Sequence, residues 1–361
     1  MPHSFFDTFP CLNKKEALEL LSTPVRKLKI SSDYYKAVFS LEKFPGEETE
    51  NALLCLIELE SDDPSIQIAK RKSIEILSRF KCKKAIPSIS KCLKCVDPYV
   101  VENAVIALSD LDPENTEFHD SIITLLDKNN QNKRVLIQVL SKLNIRKSLP
   151  KIKSIVKDMS LSPSIRGAAI AAIAKLDNDK RLINELEKSL YSNNQNDRQS
   201  AIEDVINSGS FELLPSVAKS PVSPFFKLRA VNYLWPNQQK KINHTKLLSL
   251  LDTLIKDEPR DVNIIHKYDN KKNVTFLINE FYNTDFSKSY LALLTLSEFT
   301  QEELWPVLYN QLPHLRRDYG AIYFTIILFR IVPKWNEDKV SIIIDFYLTF
   351  SDPLARVISF E

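Results

Sequence analysis

Along the first two thirds of the chain a short helical phrase recurs about every 30 residues, with a basic residue near its start and an aliphatic one seven positions later. It reads KRKSIEIL from Lys70 to Leu77, VENAVIAL from Val101 to Leu108 and KRVLIQVL from Lys133 to Leu140. It continues as RGAAIAAI from Arg166 to Ile173, RQSAIEDV from Arg198 to Val205 and KLRAVNYL from Lys227 to Leu234. Ser73, Ala104, Ala169, Ala201 and Ala230 hold a small side chain in the middle of five of these phrases, as two closely approaching helices require, and the terminal aliphatic fills the seam between them.

A second apolar pattern lies between the phrases and carries proline in its first turn: KAIPSISKCL with Pro87, KSLPKIKSIV with Pro150 and FELLPSVAKS with Pro215. Proline suits a helix start, where the first N–H groups have no intrahelical partner and the fixed φ is already helical. Each unit is therefore two antiparallel helices, and stacking the units buries a core that grows repeat by repeat. The expected fold is all-α: an α-solenoid, a right-handed superhelix of HEAT-like or armadillo-like helical pairs. One array is expected over residues 1–361, regular over 31–236 and less regular over 237–361.

Composition narrows the function. Only four glycines occur in 361 residues, so a glycine-rich phosphate loop or a parallel nucleotide-binding sheet has nowhere to sit. The net charge is +3, acidic residues nearly cancelling basic ones, which argues against nucleic acid as the partner. No apolar run approaches the ~20 residues that cross a bilayer, and MPHSFFDTFPCLNKKEA lacks the order of a secretory signal. A cytoplasmic protein without membrane insertion is expected. The five cysteines, Cys11, Cys55, Cys82, Cys92 and Cys95, are an odd number and argue against a disulfide framework. Cys92-Leu-Lys-Cys95 invites a metal or redox reading, but no second CxxC and no histidine at zinc spacing accompanies it. It reads as helix core, and no metal site is expected.

The basic residues matter by position. Lys70, Arg71, Lys133, Arg134, Arg166, Arg198, Lys227 and Arg229 recur near the start of the first helix of successive units. Equivalent positions of a solenoid stack along one surface. Such residues either pair with an acidic group of the next unit or line a groove that takes an anionic ligand.

Several longer phrases resemble the E/F-type phycobilin lyases of cyanobacteria, whose units are HEAT-like. They are KRKSIEILSRFKCKKAIPSI, DPYVVENAVIALSDLD (Asp97 to Asp112) and SSDYYKAVFSLEKFPGEET (Ser31 to Thr49). KSPVSPFFKLRAVNYLW, IIHKYDNKKNVTFLINEFYNTDFSKSYLALLTL and NKRVLIQVL resemble the phycoerythrobilin-handling branch, so the likeness runs roughly from Phe5 to Leu296.

That resemblance implies an enzyme that takes a linear tetrapyrrole, phycoerythrobilin, as substrate and holds no permanent cofactor. It would add the thiol of a phycoerythrin cysteine, on the α subunit in preference to the β, across the ethylidene group of the bilin. Isomerisation to phycourobilin and help from a second lyase or chaperone subunit belong to the same expectation. The Asn-His-Cys motif of one isomerising subclass is absent.

Since the partner brings the nucleophile, the chain must orient the bilin, assist thiolate formation and deliver a proton to carbon. The best constellation is His266-Lys267-Tyr268-Asp269, with the tyrosine and aspartate where the family phrase has them. Its plainer reading is a polar inter-helix loop. Arg71, Lys133, Arg134, Arg166, Arg198 and Arg229 are candidate clamps for the propionates. Glu102 and Asn103, which interrupt the basic ladder, and Tyr34 and Tyr35 in the first unit are further candidates for substrate binding. The alternative to an enzyme is a non-catalytic scaffold or chaperone for phycobiliprotein assembly. Trp235, Trp305 and Trp335 read as packing residues, and the aromatic-rich helices from Phe286 onward as a cap on the array.

Overall fold

The computed structural model describes residues 12–28, 30, 32–114, 117–235 and 244–348. Cys11, the opening segment and the end of SIIIDFYLTF lie outside them. All regular structure among the described residues is helical, and none of their helices is long and apolar enough to cross a membrane.

The chain divides into two compact units, residues 1–161 with 175–178, and residues 162–174 with 179–361. The first holds α1 (Lys14–Ser22), α2 (Asp33–Leu41), α3 (Glu47–Glu58), α4 (Pro64–Arg79), α5 (Ile86–Lys91), α6 (Pro98–Leu111), α7 (His119–Leu125), α8 (Lys133–Lys142) and α9 (Leu149–Lys157). Helix α10 (Pro163–Asp177) contributes to both. The second continues through α11 (Ile183–Ser189), α12 (Gln195–Ser208), α13 (Leu214–Lys219), α14 (Pro224–Leu234) and α15 (His244–Lys256). It closes with α16 (Val274–Asn279), α17 (Phe286–Leu296), α18 (Gln301–Leu315), α19 (Tyr319–Ile331) and α20 (Glu337–Leu348).

The six recurring phrases occupy α4, α6, α8, α10, α12 and α14. Several of these helices open the same way, a short polar side chain capping the first turn just before a proline. Asp63 accepts from Ser65 N at 2.8 Å ahead of Pro64, Asp97 from Tyr99 N at 2.8 Å ahead of Pro98, and Ser223 from Phe225 N at 3.4 Å ahead of Pro224. Inside the helices the small positions Ser73, Ala104, Ala169, Ala201 and Ala230 are buried, and so are the terminal aliphatics Leu77, Leu108, Leu140, Ile173, Val205 and Leu234. Helix α4 packs on α2, α3 and α6, and α12 on α11 and α14. Gly167 sits at a close approach, since a Cβ there would lie 2.5 Å from Oδ2 of the buried Asp204 on α12.

The reversal from the first to the second helix of a pair repeats three times with one geometry. Lys81, Asn144 and Gly209 take positive φ of 56°, 56° and 65°, and the next N–H reaches back five residues: Cys82 to Leu77 O at 3.0 Å, Ile145 to Leu140 O at 2.9 Å, Ser210 to Val205 O at 3.2 Å. One 3₁₀ turn follows, and then the proline-bearing helix α5, α9 or α13. The αL position falls to glycine only once; asparagine and lysine adopt it at a modest steric cost.

The aromatic-rich helices at the end of the second unit bury most of their apolar faces. Phe281, Tyr290, Leu293, Leu308, Phe324, Ile327 and Phe346 form the core there, and Trp305 and Trp335 pack against its edge with ring centroids 5.9 Å apart. One local expectation changes. The Cys92-Leu-Lys-Cys95 segment is not inside a helix: α5 ends at Lys91, Cys92 to Lys94 form a 3₁₀ turn, and Cys95 terminates it in extended conformation.

Candidate functional site

The basic ladder is largely internal. Arg198 is fully buried; its guanidinium donates to Ser192 O at 2.7 Å and Asn193 O at 3.3 Å, and pairs with Asp285. Burial pulls the Arg198 pKa below its usual value, with Asp285 opposing the shift. Lys227 is equally buried, with its ammonium 3.1 Å from Asp257 Oδ1. Arg71 pairs with Asp97 and lies 4.5 Å over the Tyr99 ring, and Arg229 holds both oxygens of Glu203 at 3.0 and 3.2 Å. Lys133, Arg134 and Arg166 are half-buried, the last two with partners of their own. The structure therefore sets Arg71 and Arg229 as struts between neighbouring repeats and ties Arg198 to Asp285, although Nε of Arg71 and of Arg198 is buried without a hydrogen-bond partner.

The other substrate-binding candidates of the first unit are likewise occupied. Tyr34 is buried and its hydroxyl donates to Thr23 O at 2.6 Å, while Tyr35 stacks on Phe39 at 6.4 Å. Glu102 accepts from Asn132 Nδ2 at 3.0 Å, and Asn103 folds back on Tyr99 O at 2.8 Å. Their geometry is that of packing and local turns.

The segment His266-Lys267-Tyr268-Asp269 differs. It lies in the irregular stretch between the 3₁₀ turn at Pro259–Asp261 and α16. Asn263 N donates to Lys219 O at 2.9 Å, Ile265 N donates to Ser287 Oγ at 3.0 Å, and Ile264, Tyr268 and Val274 pack on the apolar core. Within this anchored loop the His266 Nδ1 and the Tyr268 hydroxyl are both buried without a hydrogen-bond partner. Buried polar atoms are nearly always satisfied, and this loop carries two of the seven orphaned side-chain atoms among the described residues.

Around these atoms the chemistry is mixed. The other nitrogen of His266, Nε2, sits 3.9 Å from Asp285 Oδ2, so Asp285 faces both His266 and Arg198. Burial first, and the nearby Glu280 second, push the Tyr268 phenol far above its ordinary value, so it stays protonated and donates. Its ring meets Phe276 edge-on at 6.0 Å, and the Lys272 ammonium stands 5.9 Å from the Tyr268 ring and 5.3 Å from that of Phe276. Lys271 stands 5.9 Å over Phe299. Asp269 is exposed and makes no hydrogen bond or ion pair with the described residues.

Sequence reasoning missed Asp285, Lys271, Lys272 and Phe276. The doubled lysine is visible in HKYDNKKN, but nothing in the position of Asp285, which caps α17 by accepting from Ser287 N at 2.9 Å, discloses His266 and Arg198 as its neighbours. It also missed a buried cluster in which Tyr290 and Tyr323 donate to Asp257 Oδ2 while Lys227 holds Oδ1. Burial and the Asp257 charge drive both phenols well above the ordinary range. Among the described residues no group of histidines, cysteines and carboxylates could hold a metal.

Fold and loop together define a helical-repeat protein with an anchored loop that gathers aromatic rings, lysines, an exposed carboxylate and two buried polar atoms without partners. The chain belongs to the E/F-type phycobilin lyase family. It is 38% identical over 310 residues to the bilin biosynthesis protein CpeY of Synechococcus sp. (strain WH8020), covering 85% of this chain and 74% of that protein. It is 32% identical over 340 residues to an uncharacterized phycocyanin operon protein Y of Pseudanabaena tenuis (strain PCC 7409), covering 92% of this chain and 80% of that one. The solved complex of CpcE and CpcF of phycocyanin lyase from Nostoc sp. PCC7120 shares the fold, with a TM-score of 0.56 at 23% identity over 70% of this chain and 98% of that one. No family model matches.

Proposed function

We propose that the chain is a bilin lyase that joins phycoerythrobilin through a thioether to a cysteine of a phycoerythrin subunit, the α subunit in preference to the β, in the cyanobacterial cytoplasm. The observation that carries the reading is the pair of orphaned buried atoms, His266 Nδ1 and Tyr268 OH, on one anchored loop of a chain 38% identical to a bilin biosynthesis protein.

The reaction is an addition without redox change. The S–H bond of the partner's cysteine breaks, a C–S bond forms at the ethylidene carbon, and the proton ends on the neighbouring ring carbon. The chain therefore has to hold the bilin still and move one proton. His266, whose Nε2 lies 3.9 Å from Asp285 Oδ2, is the proton carrier, an imidazole being able to take a proton on one nitrogen and give one from the other. Tyr268, whose phenol holds its proton firmly, serves as a hydrogen-bond donor to a carbonyl or carboxylate oxygen of the bilin and not as the acid. Asp269 accepts from protonated pyrrole N–H groups, and Lys271 and Lys272 take the propionates in the role first expected of Arg166 and Arg198. Phe276 and Phe299 supply flat walls. Isomerisation to phycourobilin would use the same carrier, removing a proton at one carbon and returning it at another.

The test is co-expression with a phycoerythrobilin pathway and phycoerythrin subunits, comparing wild type with Tyr268→Phe, Asp269→Asn and His266→Gln. Asp269→Asn should keep its helical circular dichroism and lose most covalent attachment, and His266→Gln should do the same. Tyr268→Phe should weaken bilin binding by about 1.5 to 3 kcal/mol, the worth of a hydrogen bond to a charged group. Wild-type yields and products from all three would move the site away from this loop. A scaffold or chaperone would show the same indifference, and would raise the yield of subunit without raising that of adduct.

A further inference from the structure

The Cys92–Cys95 pair forms a differentiated dithiol in the first unit. Cys92 is buried and Cys95 is half-exposed at the end of the same 3₁₀ turn, with Cys95 N donating to Cys92 O at 3.1 Å. Both are free, and the Cys92 thiol is turned inward, donating to Ser88 O at 3.4 Å. A three-residue separation across one turn brings the two Cα atoms into the ~4.4 to 6.8 Å range that a disulfide spans.

A second observation is independent of the sulfurs. Lys70 is buried on α4 and forms no ion pair with a described carboxylate, yet its charge acts on both cysteines. A buried ammonium wants a counter-ion. The other charges facing the pair are Asp97, beside Cys95 and itself paired with Arg71, and Glu58 on α3, which acts on Cys92 and accepts from Ser88 Oγ at 2.6 Å. Lys91, at the end of α5, and Lys94, on the turn, are exposed and favour an anionic reagent.

We propose that Cys95 and Cys92 are a thiol–disulfide exchange site for an anionic low-molecular-weight disulfide of the glutathione type, Cys95 attacking and Cys92 resolving. The Cys95 thiolate attacks one sulfur of the disulfide, the S–S bond breaks and one thiolate leaves. Cys92 then gives up its proton and attacks the Cys95 sulfur, expelling the second. The sum is one external disulfide and two protein thiols converted to one internal disulfide and two external thiols. Exposure assigns the roles: Cys95 is half-exposed at the end of the turn and can meet the reagent, while Cys92 is buried behind it. The electrostatics agree, the neighbouring Cys92 and the Lys70 charge drawing Cys95 down to about 7 against burial, while the neighbouring Cys95 and burial push Cys92 far up. Cys82 is an internal contrast, pushed up to about 11 by burial and its hydrogen bond to Glu50.

The test uses the intact chain in buffers of oxidised and reduced glutathione, acid-quenched, alkylated and mapped by mass spectrometry. The expected result is a Cys92–Cys95 disulfide that appears before any modification of Cys82. Cys92→Ser should instead trap a glutathione adduct on Cys95. Wild-type Cys95 should alkylate with a midpoint near pH 7, at least one unit below an ordinary thiol at about 8.5. This last measurement needs no variant to fold. Free thiols at both positions after exposed Cys55 is fully glutathionylated, or an alkylation midpoint at the ordinary value, would overturn the proposal. Neither outcome bears on bilin attachment.

Discussion

Replacing Asp257 by asparagine isolates one charge in the second unit. Asp257 is 3% exposed and adopts a φ of 39°, a backbone that asparagine also tolerates, so the substitution changes charge and hydrogen bonding more than geometry. It leaves the Lys227 ammonium, wholly buried and 3.1 Å away, without a counter-ion. Breaking a buried pair in this way costs about 3 to 5 kcal/mol. With a urea dependence of about 2.5 to 3 kcal/mol per molar, the unfolding midpoint of this unit should fall by about 1 to 2 M. All three tryptophans, Trp235, Trp305 and Trp335, lie in this unit, so their fluorescence reads it selectively. Removing the stranded ammonium as well, in Lys227→Met with Asp257→Asn, should return at least about 2 kcal/mol relative to the sum of the single losses. A midpoint for Asp257→Asn within about 0.3 M of wild type, or a double variant that loses the full sum, would refute the ion-pair reasoning.

Arg198→Met should cost about 3 kcal/mol of stability by stranding Asp285, read as a lower thermal midpoint; an unchanged midpoint with weakened bilin binding would make Arg198 a clamp after all. Gly167→Ala sets a helix-propensity gain of about 1 kcal/mol against a 2.5 Å clash with buried Asp204, whose overpacking costs about 1 to 3 kcal/mol. A net loss near 1 kcal/mol in chemical denaturation is expected, and a gain would show that α10 and α12 are more loosely packed. Because Tyr290 is held above its unfolded value of 10.0, the folded state keeps a proton that the unfolded chain gives up as the pH rises past it. Stability should therefore be full below pH 10 and fall above it by about 1.4 kcal/mol per pH unit for this one group. Urea midpoints taken on either side of pH 10 check that, and Tyr290→Phe should flatten the fall.

The helical repeat was legible because its signals are local. A small residue three positions into the phrase and an aliphatic seven positions in are what close helix packing requires, and Ala104, Ala201, Leu108 and Val205 are buried as their spacing implies. The prolines at 87, 150 and 215 marked helix starts for an equally local reason. The turns were harder to read, since lysine and asparagine at 81 and 144 do what glycine does at 209. The fate of the basic ladder was not legible at all. Whether Arg198 is a clamp or a strut depends on Asp285, and Lys227 on Asp257, partners that only the folded chain brings close. At the candidate site the sequence pointed to the loop from His266 to Asp269, but showed Asp269 as its carboxylate and not Asp285 beside His266, because that contact spans two elements. CxxC was read as helix core since nothing in its spacing discloses that α5 stops at Lys91.

The central claim is covalent chemistry, and its most direct measurement is made on the product. The chain is co-expressed with a phycoerythrobilin pathway and a single phycoerythrin subunit, and the subunit is purified, denatured in acid urea and examined by absorbance and by mass spectrometry of its peptides. The account predicts a bilin that stays with the denatured subunit through one cysteine, with phycoerythrobilin or phycourobilin absorbance, and that disappears when Asp269→Asn replaces the wild-type chain. A subunit that loses all colour on denaturation, or that carries the same adduct when the chain is omitted, would contradict it.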